Sequence, residues 1–570
     1  MKKALILILT FAMLLTLTPL GVFAEDTPDT SDTTEYLSVS TKEEFLAMEK
    51  DKSYKLENDI DFGGASFENY LIETFNGNLD GQGHCIYNFS LQEGGEDAAD
   101  KVVYGIFHYL TATNGQTIKN LSIGKADAHL TLNYPVLSGY TGVLASEQNK
   151  NSSLTLENVH IYADVTIQPA SSGHTRFGGF VGYMTAVSMK NCSFNGSVNI
   201  STSKRNIICG AFGGHSDAGD KSFVDCVNHA TVTVTGVAKT FVGGFIGWED
   251  TAGQSVILKD CINNGTISAT APSTCDVGGF CGVLNAAFTM ENCINYGAVT
   301  SNGTAGIEIG GLIGVANPGK SATTAVSVTA CVNKGDVQVP ETSTGAVVGG
   351  FLGARYGAGA MAISHSVNTG AISGAKATVG ALIGKTAVNA ALTNCFNYGS
   401  ITAAAVAAKG FVGNGTFTEA DLYDLRGETV PACTYEALAG VGVQKSDPAD
   451  NKMNIRFVAG IDSAEFTAVG YDIKIYNAGK VATLSVEDYQ VYKQINAKAE
   501  NGVNTAVTAE SQGVNYLIAL TLTSVPTTAA FGEVTFVITP YAKNAQGEKV
   551  IGHSWMCMVQ TGNLILNVNV

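Results

Sequence analysis

Two aspartates are the first candidates for chemistry, because of where they fall. Asp225 and Asp260 each stand immediately before a cysteine of one recurring motif, so a fold that stacks the motif stacks their carboxylates on neighbouring turns. A glycosidase or lyase working by acid and base needs such a pair on an outer face. The other copies of the motif favour a structural role. The same position holds Asn191, Asn292, Ala330 and Asn394, the pattern of a corner that takes Asn or Asp for its turn geometry. The column beside it reads Lys190, Val224, Lys259, Glu291, Thr329, Ser364 and Thr393, with no carboxylate cluster. No catalytic residue is therefore assigned, and Asp225 and Asp260 stand as the alternative.

A second group lies in variable stretches that follow each glycine-rich segment: GHSDAGDK from Gly214, WEDTAGQ from Trp248, ANPGKSATT from Ala316 and ARYGAGA from Ala354. Variable loops on one edge of a regular stack are where binding resides. His215, Asp217 and Asp220 fall one repeat from Trp248, Glu249 and Asp250. An exposed aromatic beside carboxylates can stack a sugar or hold Ca²⁺ through oxygen ligands. His215, Asp217, Trp248, Glu249 and Asp250 are thus the candidate ligand-binding residues. The plainer alternative is a solvated acidic loop with a Trp lying on the surface. No paired-His metal spacing is present, so no metal or other cofactor is expected beyond that Ca²⁺.

These residues are positioned by internal repeats. Gly-Gly-apolar-apolar-Gly occurs as GGFVG, GGFIG, GGFCG, GGLIG and GGFLG, ending at Gly182, Gly247, Gly282, Gly314 and Gly353. Degenerate copies end at Gly213, Gly384 and Gly413, giving steps of 31, 34, 35, 32, 39, 31 and 29 residues. A second unit, Cys-x-Asn-x-Gly-x-Val/Ile, follows the first seven, with CSFNGSV, CVNHATV and SVNTGAI as degenerate forms. Upstream of each Cys the apolar residues alternate: Val187 and Met189, Val256 and Leu258, Phe288 and Met290, Val326 and Val328. Period two marks a strand with one buried face. Each repeat thus offers about three short strands in roughly 30–35 residues, one coil of a solenoid. Stacked coils pair strand on strand at about 4.8 Å and share a continuous core.

The glycines suit sharp corners and close backbone approach. Asn228, Asn263, Asn295, Asn333, Asn368 and Asn397 form a column; asparagine tolerates the left-handed conformation, and its amide can bond the same amide one coil away. Cys192, Cys226, Cys261, Cys293, Cys331 and Cys395 form another. In register their side chains point the same way, which suits bridging poorly and a buried thiol ladder well. Cys209, Cys275 and Cys281 lie off this ladder, and a bridge among them is left open. Open solenoid ends need protection. Ser40-Thr41-Lys42-Glu43 resembles a capping box, so Thr41 to Lys50 is expected to form a helical cap over the first coil. Glu419 to Arg426 is expected to close the other end.

Two stretches resemble known proteins. LENDIDFGG from Leu56 and FNGNLDGQGHCIYNFSL to Leu91, followed by YGIFHYL from Tyr104, resemble the opening coils of bacterial surface β-helix proteins. The GGFVG and CxNxG units resemble GLUG-type repeats of secreted Gram-positive, clostridial-type proteins. Such repeats occur in adhesin-like proteins and beside the peptidase domain of immunoglobulin-A-cleaving enzymes. The resemblance covers about residues 37–430 and implies a pectate-lyase-like right-handed parallel β-helix. It says little about function.

The repeats stop near Ser446. From Asn454 alternating runs recur with the spacing of an antiparallel β-sandwich of about 120 residues, in which Trp555 is expected in the core. The fold expected is all-β: residues 1–24 a signal peptide, 25–36 a linker, 37–430 the solenoid, 431–450 a second linker and 451–570 the sandwich. The leader reading rests on Lys2 and Lys3, the apolar run Ala4 to Leu20, and small residues placed for a cut after Ala24. No later stretch is apolar enough to span a bilayer. Net charge is −17 with no compensating basic stripe, which excludes nucleic-acid and anionic-membrane partners. The function expected is a secreted or cell-surface, non-catalytic, adhesin-like binding protein whose partner is an extracellular glycan or protein. A polysaccharide-active enzyme and a structural stalk are the alternatives.

Overall fold

Short apolar strands separated by tight corners cannot bury a face alone, and here they do so by stacking. In a computed structural model the described residues are 35–92, 105–134 apart from 114, 139–168, 174–201, 206–317, 324–403 and 410–426, then 440–445 and most of 452–569. The expected leader, 1–24, and all but the last residues of the 25–36 linker lie outside them, as does most of the 431–450 linker. The chain divides between Arg426 and Gly427 into two compact units.

The first unit is a parallel β-solenoid with three faces. One coil shows the plan. The first face is the strand Thr240–Gly243, the second Ile246–Glu249, and the third Ser255–Lys259 with Ile262–Asn263 and Ile267–Thr270. Stacked on their counterparts, first-face strands make an 8-stranded sheet, second-face strands an 11-stranded sheet, and third-face strands the largest sheet of all. The pairings in these sheets are parallel, and coil after coil stacks in register, as in Val242 with Cys209 and Val277; a bulge between Asp61 and Ala65 shifts the register in the opening coil. The interior is a set of ladders. Phe180, Phe212, Phe245 and Phe280 stack with centroids 4.9, 4.3 and 5.0 Å apart.

The motif glycines owe their place to close approach. A Cβ on Gly243 would sit 2.2 Å from the Ile246 carbonyl oxygen, and one on Gly247 2.7 Å from the Cys209 nitrogen. First- and second-face backbones therefore pack directly on each other, an approach only glycine permits. The left-handed conformation falls elsewhere: Asn158, Asn191, Asp225, Asp260, Asn292, Ala330, His365 and Asn394 have φ between 49° and 54°. The ladder asparagines are not among the positive-φ residues, so their role is hydrogen bonding. Asn228 Nδ2 donates to Asn263 Oδ1, and the chain runs on through Asn295, Asn333 and Asn368 to Asn397 at 2.7–2.8 Å per step. Each Nδ2 also donates to the carbonyl two residues on, as Asn295 does to Gly297 at 2.9 Å. The last amide, Asn397, donates to Asp424 Oδ1 at 3.1 Å, and Arg426 pairs with that carboxylate.

All six ladder cysteines are buried and form no disulfide, nor do Cys209, Cys275 and Cys281. Each ladder thiol bonds the carbonyl two residues upstream at 3.2–3.4 Å.

The ends differ from expectation. The capping box forms: Thr41 accepts from the Glu44 nitrogen and Glu44 from the Thr41 nitrogen. It opens a single five-residue helix, Lys42–Leu46, and a helical cap to Lys50 is not supported. The reason is topological. The strand Tyr36–Val39 precedes the helix and pairs with Ser53–Leu56, so the helix is a crossover within the coil, with Phe45 seated on Phe62 at 5.8 Å. At the other end Glu419 to Arg426 is no separate cap; Phe417–Asp424 is one more parallel strand, paired with Ala390–Asn397.

The second unit holds antiparallel sheets: Gly440–Lys445, Lys452–Ile461 and Tyr516–Pro526 in one, and six strands from Ala468 to Asn569 in another. One core joins them, with Phe457 and Ile518 from the first sheet and Tyr471, Phe536 and Trp555 from the second. Tyr471 Oη donates across to the Ile518 carbonyl at 2.8 Å.

Candidate functional site

Where first and second faces fold on each other, the residues two before Gly-Gly and those just after the motif line one cleft. The first-face column reads Tyr140, Arg176, Ile208, Phe241, Asp276, Glu308. The second-face column reads Tyr109, Glu147, Tyr183, His215, Trp248, Val283. Rings bridge the two: Tyr140 to Tyr183 at 4.7 Å, Tyr140 to His215 at 5.9 Å, and Phe241 to Trp248 at 5.5 Å. His215 lies 5.6 Å from Tyr183 and 5.0 Å from Trp248, so the aromatics run unbroken along the axis. At the Tyr140 end the cleft opens to about 400 Å³, lined by Tyr109, Tyr140, Glu147, Lys150, Tyr183, His215 and Asp217 among others.

The cleft groups are tuned by their surroundings. His215 is 7% exposed; burial, with Arg176 nearby, lowers its imidazole to about 4, so the ring is neutral at physiological pH. Tyr140 Oη contacts its Nδ1 at 3.4 Å, while its Nε2 makes no hydrogen bond and lies 3.6 Å from Asp250 Oδ2. Asp217 is held well below the usual carboxylate range by Thr251, the Ala218 nitrogen, Lys150 and Tyr183. Tyr183 Oη donates to it at 3.0 Å and Lys150 Nζ at 3.2 Å. Burial pushes the Glu147 carboxyl upward, with Arg176 opposing. The Arg176 guanidinium lies over the Tyr140 ring at 4.8 Å.

The structure thus brings together His215, Asp217, Trp248 and Asp250 of the sequence candidates. Glu249 is excluded. Adjacent strand residues face opposite ways, so with Trp248 toward the cleft Glu249 points inward, fully buried and paired with Lys221 at 2.9 Å. The stretches from Gly214 and Trp248, expected as loops, begin as strand: Gly213–Ser216 and Ile246–Glu249. Among the described residues no three His, Cys, Asp or Glu side chains could hold a metal ion. Asp225 and Asp260 sit at left-handed corners of the third face. Burial and the Asp260 charge raise Asp225, and Asn292 donates to Asp260.

Sequence reasoning missed a second acidic pair. Asp276 and Glu308 are register partners on adjacent coils. Asp276 is 5% exposed and its Oδ1 has no hydrogen bond, while Tyr356 donates to Glu308. Burial raises both, Asp276 strongly, with Glu308 adding to it. The signal was present: both stand two before Gly-Gly, in DVGG and EIGG. Tyr140, Glu147 and Tyr183 were missed as well; Tyr183 directly follows the GGFVG motif.

The fold defines a parallel β-solenoid with a lateral aromatic cleft. No family model matches the chain, so its likeness to GLUG-type repeats rests on the motif residues alone, and no curated protein matches it. Among solved structures it is similar to a putative immunoglobulin A1 protease from Bacteroides ovatus, at 16% identity and a TM-score of 0.37 over 59% of this chain and 84% of that one. It is also similar to the enzymatically active domain of tailspike protein 4 of bacteriophage CBA120, at 11% identity and a TM-score of 0.20 over 89% of this chain and 64% of that one. Both likenesses are too distant to carry a function across.

Proposed function

We propose that this is a secreted or cell-surface protein that binds carbohydrate in the cleft between its first and second faces, in the manner of an adhesin. The observation that carries this is the unbroken row of Tyr140, Tyr183, His215, Trp248 and Phe241 leading out of a cleft of about 400 Å³. Flat rings offer stacking surfaces to sugar faces, while a neutral imidazole, tyrosine hydroxyls and carboxyls offer hydrogen bonds to sugar hydroxyls. The row follows the stacking axis at one rung per about 4.8 Å, which suits an extended chain of sugars. Among the described residues no helix is long and apolar enough to cross a membrane. The leader expected at residues 1–24 supports export.

A glycan-array screen of the full mature chain tests this. Saturable binding that Trp248→Ala weakens supports it. Binding indifferent to Trp248→Ala moves the site elsewhere, and silence across the array favours a structural stalk or a protein partner.

A further inference from the structure

We propose that the cleft takes saccharides bearing free amino groups, with the ammonium held by Asp276 and Glu308 just beyond the Phe241–Trp248 pair. This rests on the carbohydrate-binding reading and names the class of sugar. Stacking sets the geometry. Phe241, Asp276 and Glu308 follow one another in register on the first face. Their backbones are therefore about 4.8 Å apart per rung, and their side chains leave the sheet on the same side. Across the cleft on the second face, Trp248 is followed by Val283 and Val315. The aromatic row thus gives way to a stretch where two carboxyls stand against an aliphatic wall.

The two carboxyls lack the donors that such a wall cannot give. Asp276 is 5% exposed, and its Oδ1 has no hydrogen bond. Glu308 is half-buried and receives one bond, from Tyr356 Oη to Oε1. Among the described residues no lysine or arginine pairs with either carboxyl. Lys239 and Lys385 act on them only through space, and Lys385 lies over the Tyr356 ring at 5.0 Å. Elsewhere in the solenoid a buried carboxylate is met directly, as Glu249 is by Lys221 at 2.9 Å. A buried polar atom left without a partner is costly unless something completes it.

The chemistry of the missing partner follows. Two carboxyls one rung apart and largely out of water both ionise only at a cost that a counter-charge removes. A neutral hydroxyl can bond to Asp276 Oδ1 but leaves that charge unmet. Calcium takes about six to eight oxygens, whereas the pair offers two carboxyls, one oxygen of which Tyr356 already holds. An ammonium brings both the positive charge and three N–H donors. The neighbouring rings say what carries it. Phe241 and Trp248 are half-buried, 5.5 Å apart and nearly perpendicular. A sugar ring stacked there places its amine on the next rung, beside a π-face that also favours a cation.

The test titrates the full mature chain, by calorimetry in mildly acidic buffer, with short β-1,4-linked glucosamine oligomers. The same oligomers N-acetylated keep the sugar ring and lose the charge. Wild type is expected to bind the free-amine form at least about tenfold more tightly, as a charge-assisted contact would. Asp276→Asn with Glu308→Gln keeps both shapes and should cut that preference to within about twofold. A thermal midpoint no lower than that of wild type establishes that the double variant is folded; Asp276→Asn alone gives a second reading and should remove at least half of the preference. The chain carries a net charge of −17, and diffuse attraction for amines would survive these changes. A preference that survives them, or wild-type binding indifferent to acetylation, overturns the inference and leaves the binding reading standing. So does failure to bind the free-amine oligomers in a chain that binds other saccharides. Saturable binding of Ca²⁺ alone that the double variant loses overturns it too, by making the pair a metal site. Absence of binding to every saccharide on the array overturns both.

Discussion

Replacing Asn295 by Ala should be among the most damaging single changes in the solenoid, although it removes only a carboxamide. The side chain is fully buried. It accepts from Asn263 at 2.7 Å, donates to Asn333 at 2.7 Å and donates to its own turn at Gly297 O at 2.9 Å. Three buried bonds at about 1 kcal/mol each give about 3 kcal/mol. Asn333 Oδ1 then faces the gap without its donor, and an unmet buried acceptor costs about 1–3 kcal/mol more. The total is about 4–6 kcal/mol, against about 0.5 kcal/mol or less for the exposed Asn199→Ala on the third face. In a stack whose coils contact mainly their neighbours, such a loss weakens one interface and can split the transition. Urea denaturation followed by far-ultraviolet circular dichroism reads both the midpoint and its cooperativity. A loss below about 1 kcal/mol, no larger than for Asn199→Ala, would refute the claim that the amide ladder holds the coils in register.

Other consequences can be checked more briefly. Asp276 has a folded-state pKa raised by burial and by Glu308. The stability it contributes is full below the unfolded value of about 4 and is lost as pH rises through the folded value. Asp276→Asn should therefore stabilise the chain at pH 8, by about 1–3 kcal/mol, with the advantage shrinking toward pH 4; a pH-independent difference in thermal midpoint would contradict this. Lys221→Met alone strands the buried Glu249 carboxylate and should cost about 3–5 kcal/mol, whereas Lys221→Met with Glu249→Leu should recover most of it. The equivalent of Glu249 one coil on is the buried Leu284. The ladder thiols are buried and form no disulfide, so a thiol reagent should label them only in denaturant; rapid labelling of the native chain would place them outside the core.

Much of the scaffold was readable because it rests on period and on repeated residue types. Alternation before each Cys identified the inward faces, now seen as Val256 and Leu258 against Phe288 and Met290. The recurring Asn and Cys identified columns, because in-register stacking turns sequence position into spatial position. The cleft was harder to read. It arises from first- and second-face strands folded onto each other, and only the angle between them makes Phe241 meet Trp248 on consecutive strands or Tyr140 meet Tyr183 one coil on. The glycines hinted at that contact, since Gly243 has no room for a Cβ. The direction of Glu249 was not legible for a related reason: in a loop neighbours can share a side, whereas in the strand Ile246–Glu249 Trp248 and Glu249 face opposite ways. Asp276 and Glu308 stand 32 residues apart, and only the stacking of their coils makes them register partners.

The central claim, that the cleft beside His215 and Trp248 receives a saccharide, can be tested with a reporter already in place. The chain has two tryptophans. Trp555 is 2% exposed in the core of the second unit, while Trp248 stands 5.0 Å from His215. In a Trp555→Phe variant, fluorescence therefore comes from the cleft alone. Titration with a saccharide that binds the protein should shift that emission saturably, with the same dissociation constant that calorimetry gives. Calorimetric binding with unchanged Trp248 emission would put the ligand elsewhere and contradict the account.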